Sequence, residues 1–384
     1  MDDASPPKWH LAHTTWFFET FILRPHLANF EAFSDQYEYL FNSYYNGVGK
    51  PFPRPQRGFL SRPTVSEVYD YRSHVDERVL QMLTSGVSDE VLSLVELGLH
   101  HEQQHQELML TDIKYNFGHN PLFPVYGGNV VSAAPAPREH YTGCPGGVVQ
   151  VGLETGASGF KFDNECPRHD ALVHPFRLAN RLVSNGEYLE FVQDQGYQTS
   201  HLWLSEGWQR VQEQGWSHPL YWHGLDGEWF EYRMDGLQPL DLNLPVVHLS
   251  GYESHAFAAW KGARLPTEFE WEVVGADHSV DTKSQAQSEN KTGCHPCGFE
   301  SSDEMQQLFG VVWQWTQSSY TPYPGFQPMA GTLGEYNGKF MSSQWVLRGG
   351  SCATPKGHVR SSYRNFFYPH DRWQFTGLRL AQDA

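Results

Sequence analysis

Cysteine is scarce in this chain. There are five in 384 residues: Cys144, Cys166, Cys294, Cys297 and Cys352. So sparse and odd a set argues against a secreted framework stapled by disulfides. Basic residues are also short, 27 lysines and arginines against 44 aspartates and glutamates, for a formal net charge of -17. A nucleic-acid partner is not expected, because phosphate recognition wants a basic face. No apolar run reaches the ~20 residues that a membrane-spanning helix needs, so no membrane partner is expected either. The opening Met1-Asp2-Asp3-Ala4-Ser5-Pro6-Pro7 has neither the basic nor the apolar stretch of a signal peptide, and the expected compartment is the cytoplasm. Internal repeats, low-complexity tracts and blocks of like charge are missing too.

What is present is aromatic and rich in histidine. Aromatic residues make up 15% of the chain and hydrophobic residues 39%. A sizeable core is available, and the length is comfortable for two domains. The 20 histidines are the first hint of metal chemistry. The first ~125 residues read as helices by their apolar periodicity. One runs from Trp9 to about Leu27, a second from Thr64 to about Leu83, and a longer third from Asp89 to about Phe117. The second opens with Thr64-Val65-Ser66-Glu67, a capping-box pattern. A loop rich in Tyr, Asn, Gly, Pro and Arg covers roughly Asn42 to Pro63. Three helices suggest a bundle. The pattern then changes around Pro121 to Pro137. Beyond it come short aromatic runs broken by Gly and Pro, with helices expected at about Asn185 to Gln195 and Tyr252 to Lys261. The reading is α+β: a helical bundle over 1–126, a linker over 127–147, and a second domain of short strands and long loops over 148–384.

The strongest local signal is His101-Glu102-Gln103-Gln104-His105, in the middle of the third helix. Residues four apart share a helix face, so His101 and His105 can hold one ion from one ridge. The string also satisfies H-E-x-x-H, in which the glutamate is the general base of a zinc hydrolase. Upstream, Trp9-His10-Leu11-Ala12-His13 offers a third imidazole, from His10 or His13. Three neutral imidazoles suit Fe(II) that must bind substrate and O2, and equally suit catalytic Zn(II). A lone Cys294-His295-Pro296-Cys297, with no second such pair, reads as a loop with two thiols and not as structural zinc.

The loop after the first helix carries Asn42-Ser43-Tyr44-Tyr45-Asn46-Gly47. A phenol beside a metal can donate a proton to bound oxygen species, though a bare Tyr-Tyr pair is more often plain aromatic packing. Arg54, Arg57 and Arg62 follow, residues able to clamp a carboxylate in bidentate fashion or simply to face solvent.

These residues carry a resemblance. Residues 4–126 resemble the metal-binding helical bundle of the DinB type. Residues 148–381 resemble the formylglycine-generating-enzyme-like fold, a variant of the C-type-lectin fold. That likeness rests on Pro175-Phe176-Arg177-Leu178-Ala179, Pro245-Val246-Val247-His248, Arg264-Leu265-Pro266-Thr267-Glu268-Phe269-Glu270-Trp271-Glu272, Val312-Trp313-Gln314-Trp315-Thr316 and Val346-Leu347-Arg348-Gly349-Gly350-Ser351. In this order the two domains look like the iron-dependent sulfoxide synthases of ergothioneine biosynthesis. The resemblance implies Fe(II) held by His13, His101 and His105, with hercynine (Nα-trimethylhistidine), cysteine and O2 as substrates. It implies that Gln104 and Asn365 hydrogen-bond the hercynine imidazole, and that Arg54, with Arg57 nearby, binds the carboxylate of the thiol substrate. The Tyr44-Tyr45 pair is similar to that of the subgroup using free cysteine, with γ-glutamylcysteine or a selenium donor as variants, and one phenol would act as proton donor. Phe366 and Phe367, beside Asn365, could offer aromatic faces to a trimethylammonium group.

There are departures from the family. A further helix is expected ahead of the WHLAH string, whereas this sequence begins almost at it. Val311-Val312 and Gln314 stand where Asn/Asp-Val and Glu are usual, a change expected to be structural. Cys352 does not sit like the reactive cysteines of formylglycine-generating enzymes, so copper is not expected. A zinc thiol transferase on the same bundle, an HExxH hydrolase and a catalytically dead binding module remain as competing readings.

Overall fold

The two prolines that open the first periodic segment start a helix there. Pro7 is the first helical residue, where a missing N–H costs nothing, and α1 runs Pro7–Phe18. In the computed structural model, which describes residues 4–128, 133–278, 280, 294–300, 302 and 304–384, α1 is buried almost all round, through Trp9, Ala12, Trp16 and Phe17. Its two buried histidines, His10 and His13, therefore stand out. The helix continues as a π-helical turn, Glu19–Leu23, and a last turn α2, Arg24–His26. The cause is Pro25, which has no N–H and crowds the carbonyl four residues back. The wider turn relieves this, with the Arg24 N–H bonded to the carbonyl of Glu19, five residues earlier.

A short α3, Asp35–Phe41, is too brief to show a period in the sequence. α4 spans Val65–Thr84 and begins with the expected capping box between Thr64 and Glu67. Its buried Val68, Tyr71, Val75, Val79 and Met82 recur at helical spacing. α5 spans Asp89–Gly118. No helix among the described residues is long and apolar enough to cross a membrane.

The chain forms two compact units. The first holds Met1–Ile113, Ser158–Phe160 and Pro328–Lys339. The second holds Lys114–Ala157, Lys161–Gln327 and Phe340–Ala384. The first is the helical bundle, joined by two short pieces of chain from downstream.

The second unit carries short strands: β1 Tyr141–Cys144, β2 Gly147–Val151, β3 His169–Val173, β4 Phe176–Ala179, β5 Trp222–Leu225, β6 Glu228–Arg233, β7 Gly236–Pro239, β8 Trp313–Ser319, β9 Trp345–Arg348, β10 Asn365–Phe367, β11 Thr376–Gly377 and β12 Ala381–Asp383. They assemble in the orders β1-β4-β12, β10-β9-β8-β11, β2-β3 and β5-β6-β7. The stretch read as linker thus contains β1, paired antiparallel with β4. Helices α6 Asn185–Gln193 and α8 Gly251–Trp260 lie where they were expected. α7 Ser205–Gln214 and α9 Glu268–Ala276 were not anticipated, although Thr267 and Glu270 give α9 a full capping box.

The strings that carry the resemblance meet in the core of this unit. The buried carboxylate of Glu268 takes Arg348 at 2.9 Å and Arg364 at 2.8 Å, while Glu272 takes Arg348 at 2.8 Å. Burial works against the ionised Glu268, but the two guanidinium groups outweigh it and hold its carboxyl below the usual range. Gln314 is structural, as expected: its Oε1 accepts from Trp271 Nε1 at 3.0 Å and Arg379 Nε at 2.9 Å, and its Nε2 donates to the Leu308 carbonyl. Gly349 must be glycine, because its φ is +98° and a Cβ there would lie 2.4 Å from the Leu308 carbonyl oxygen.

Candidate metal centre

α5 places His101 and His105 on one face, one turn apart, and α1 brings His13 to them. One ring nitrogen of each lies within 4.8 Å of the others, and all three residues are buried. Among the described residues no other group of three His, Cys, Asp or Glu has metal-binding geometry. His10, the other upstream candidate, stands behind this group instead.

Hydrogen bonds decide which nitrogens point inward. His13 Nδ1 lies 2.6 Å from the Phe41 carbonyl oxygen, which can only accept. The Nδ1 is therefore protonated, and Nε2 keeps its lone pair. His10 Nε2 lies 3.1 Å from Asp112 Oδ2, and its Nδ1 lies 2.8 Å from Nδ1 of His105. With Asp112 ionised and both imidazoles neutral, His10 donates to Asp112 and accepts from His105, which leaves His105 Nε2 basic. Such outer partners fix the tautomer of a metal-ligating histidine. The Asp112 carboxylate is itself held by the backbone N–H of Ser5 at 2.9 Å.

Burial pushes all three imidazoles below their usual value: His101 to about 3, His13 and His105 well below 6.5, with the neighbouring histidines adding to the effect. They are neutral donors at physiological pH. His13 Nε2 and His101 Nδ1 are buried without any hydrogen-bond partner. A buried polar atom without a partner is costly unless something binds it. The donor set fits a divalent ion with open positions.

Glu102 follows His101 directly on α5, the position of the general base in an H-E-x-x-H hydrolase. Its carboxylate is paired with Arg72 at 2.5 Å.

Behind the centre, Trp9 stacks on His13 at 4.8 Å, and the guanidinium of Arg57 lies 3.6 Å above Trp9. Arg57 is buried and donates to Ser5 Oγ and Ser43 Oγ, whereas Arg54, in the same helical turn Arg54–Phe59, is exposed.

The phenol pair sits in a turn tied by Asn42, whose side chain accepts from the Tyr45 N–H and donates to the carbonyls of Tyr45 and Gly49. Tyr45 is fully buried, with its ring 5.6 Å from Trp16 and 5.0 Å from Phe21. Burial, with Tyr44 and Tyr336 adding, pushes its phenol well above 10. Tyr44 stacks on it at 4.5 Å and its hydroxyl donates to that of Tyr45 at 3.4 Å.

Three residues the sequence did not flag lie in this unit beside these groups. Tyr336 donates to Gln104 Oε1 and sets its ring 5.7 Å from His101. Glu335 and Lys339 hold the Tyr44–Gly47 turn. Nothing local in the sequence signals these contacts, which bridge more than 200 residues. Asn365, Phe366 and Phe367 belong to the second unit, on β10, paired with β9. There Asn365 Oδ1 accepts from the Phe366 N–H, and the Phe366 ring stacks on Tyr320 at 4.1 Å.

Comparison with known proteins adds the following. The chain matches the sulfatase-modifying factor enzyme 1-like domain over residues 129–293 and 279–384. A hercynine oxygenase of Mycobacterium tuberculosis is 32% identical, over 99% of this chain and 91% of its own length. Another, of Mycolicibacterium thermoresistibile, is 30% identical over 99% of this chain and 88% of its own. Ergothioneine biosynthesis protein 1 of Schizosaccharomyces pombe is 29% identical, over 58% of this chain and 28% of that protein.

Proposed function

This chain belongs to the hercynine oxygenase family, and from that premise we propose that it is an O2-dependent sulfoxide synthase of the ergothioneine pathway. It joins the sulfur of cysteine to the imidazole carbon of hercynine, and His13, His101 and His105 would hold the Fe(II) that the reaction needs. The reaction balances as thiol plus imidazole C–H plus O2, giving the carbon–sulfur sulfoxide and water. One O2 oxygen stays on sulfur, and the other leaves as water with the hydrogens of the thiol and the ring.

Fe(II), when bound, supplies a redox-active Lewis acid at which a thiol is ionised and O2 reduced. Everything else falls to the chain. The three neutral imidazoles would hold the ion without adding charge of their own. Tyr44 or Tyr45 supplies a proton on the oxygen side of the reaction. Gln104, in the same unit as the three histidines, orients the hercynine ring. Arg54 takes the carboxylate of the amino-acid thiol. Arg57, engaged by Ser5 and Ser43, adds positive charge from behind the loop. The cytoplasm, where thiols stay reduced, suits this chemistry.

The observation that carries this reading is the trio of buried, neutral histidines with two unpartnered nitrogens in one compact unit with a phenol pair. Against a hydrolase reading stands the pairing of Glu102, its required base, with Arg72. The test is metal-free protein reconstituted with Fe(II) or Zn(II), given hercynine and cysteine with or without O2, and read by mass spectrometry. Hercynylcysteine sulfoxide only with Fe(II) and O2 is expected. Product with Zn(II), or without O2, would overturn the reading.

A further inference from the structure

The turn that carries the phenol pair is held by residues 289 positions later in the chain. Glu335 Oε1 accepts the Gly47 N–H at 2.8 Å, and its Oε2 accepts the Asn46 N–H at 3.1 Å. Lys339 donates to the Tyr44 carbonyl, pairs with Glu335 at 2.8 Å, and sets its ammonium 5.0 Å above the Tyr44 ring. The fit is close at Gly47, where a Cβ would lie 2.6 Å from Thr332 Oγ1. One residue on from Glu335, Tyr336 donates to Gln104. Glu335 ends one helical turn, Gly331–Glu335, which Tyr336 caps, and Lys339 lies in the next, Gly338–Phe340.

We propose that Gly331–Lys339 is a positioning strap in which Glu335 and Lys339 fix the Tyr44 turn and make Tyr44, not Tyr45, the phenol that gives up its proton. The inference rests on the function proposed above. Its physical content is an asymmetry between two adjacent phenols. Tyr45 is enclosed by Trp16 and Phe21, where a phenolate has little to stabilise it. Tyr44 has a cation over its ring face, which favours the ionised form left after proton transfer. The Glu335 carboxylate acts on the backbone instead. Two amides of the turn end on it, so the turn cannot swing without breaking both bonds. Neither residue is catalytic in this account, since each acts through Tyr44.

Two measurements on the full chain test this. In metal-free protein, Glu335→Ala is expected to speed hydrogen exchange at Asn46 and Gly47 by about tenfold, the scale of one lost charge-assisted hydrogen bond. In Fe(II)-loaded protein, Lys339→Met is expected to shift product from sulfoxide towards cysteine sulfinic acid, in the direction of Tyr44→Phe, with the hercynine KM unchanged. Lys339→Arg keeps the cation and is expected to restore the ratio. Unchanged exchange in Glu335→Ala, or an unchanged product ratio in Lys339→Met, would overturn the strap. If the unaltered protein makes no sulfoxide at all, the proposed function fails, and the exchange experiment alone then decides whether the turn is held as described.

Discussion

Three imidazoles buried together are a liability to the metal-free protein in acid, and the sign of the effect can be worked out. His101 is pushed down to about 3 by burial, and His13 and His105 are also lowered. An unfolded histidine takes up its proton below about 6.5. Between that value and about 3 the unfolded chain therefore binds more protons at these positions than the folded chain. Stability is full above pH 6.5 and is lost as pH falls, by about 1.4 kcal/mol per pH unit for each such group. His101→Phe removes one of them. Denaturation of the metal-free protein at stepped pH should give a shallower slope below pH 6.5 for that variant. An identical slope would mean that His101 is not held neutral. At this scale much of the centre was legible. The i,i+4 spacing of His101 and His105 states a shared face, and His13 came from the family resemblance. The pairing of His10 with Asp112 was not legible, because it joins two helices more than 100 residues apart.

Among the elements, α5 carries the string that two competing chemistries share. The sequence H-E-x-x-H permits a hydrolase, but the Glu102 carboxylate is paired with Arg72. Glu102→Gln is therefore expected to leave Fe(II)- and O2-dependent turnover within about twofold, because that carboxylate moves no proton in the reaction. A complete loss with the metal retained would return the hydrolase to consideration. The long helices were readable from their periodicity and from caps such as Thr64 with Glu67. α3 was not, since its seven residues show too little of a period. α9 was missed although its Thr267–Glu270 cap is plain, because the Glu-rich string around it was read as a family signature and not as a helix start.

For the whole molecule, the sequence strings of the second unit make sense only together. Glu268 neutralises both Arg348 and Arg364 in a place where neither meets water. Glu268→Ala strands the buried Arg364 and leaves Arg348 to Glu272 alone, and is expected to cost about 3–5 kcal/mol, read by chemical denaturation. A loss near zero would show that water or Glu272 takes over. The strings announce this fold, but nothing in them shows that Pro328–Lys339 joins the helical unit, since long-range packing leaves no local mark. The central claim concerns where the oxygen goes. The measurement is turnover of Fe(II)-loaded protein with hercynine, cysteine and isotopically labelled O2, followed by mass spectrometry of the product. One labelled atom on the sulfoxide sulfur is the result expected here. Unlabelled sulfoxide, or label found only in cysteine sulfinic acid, would contradict it.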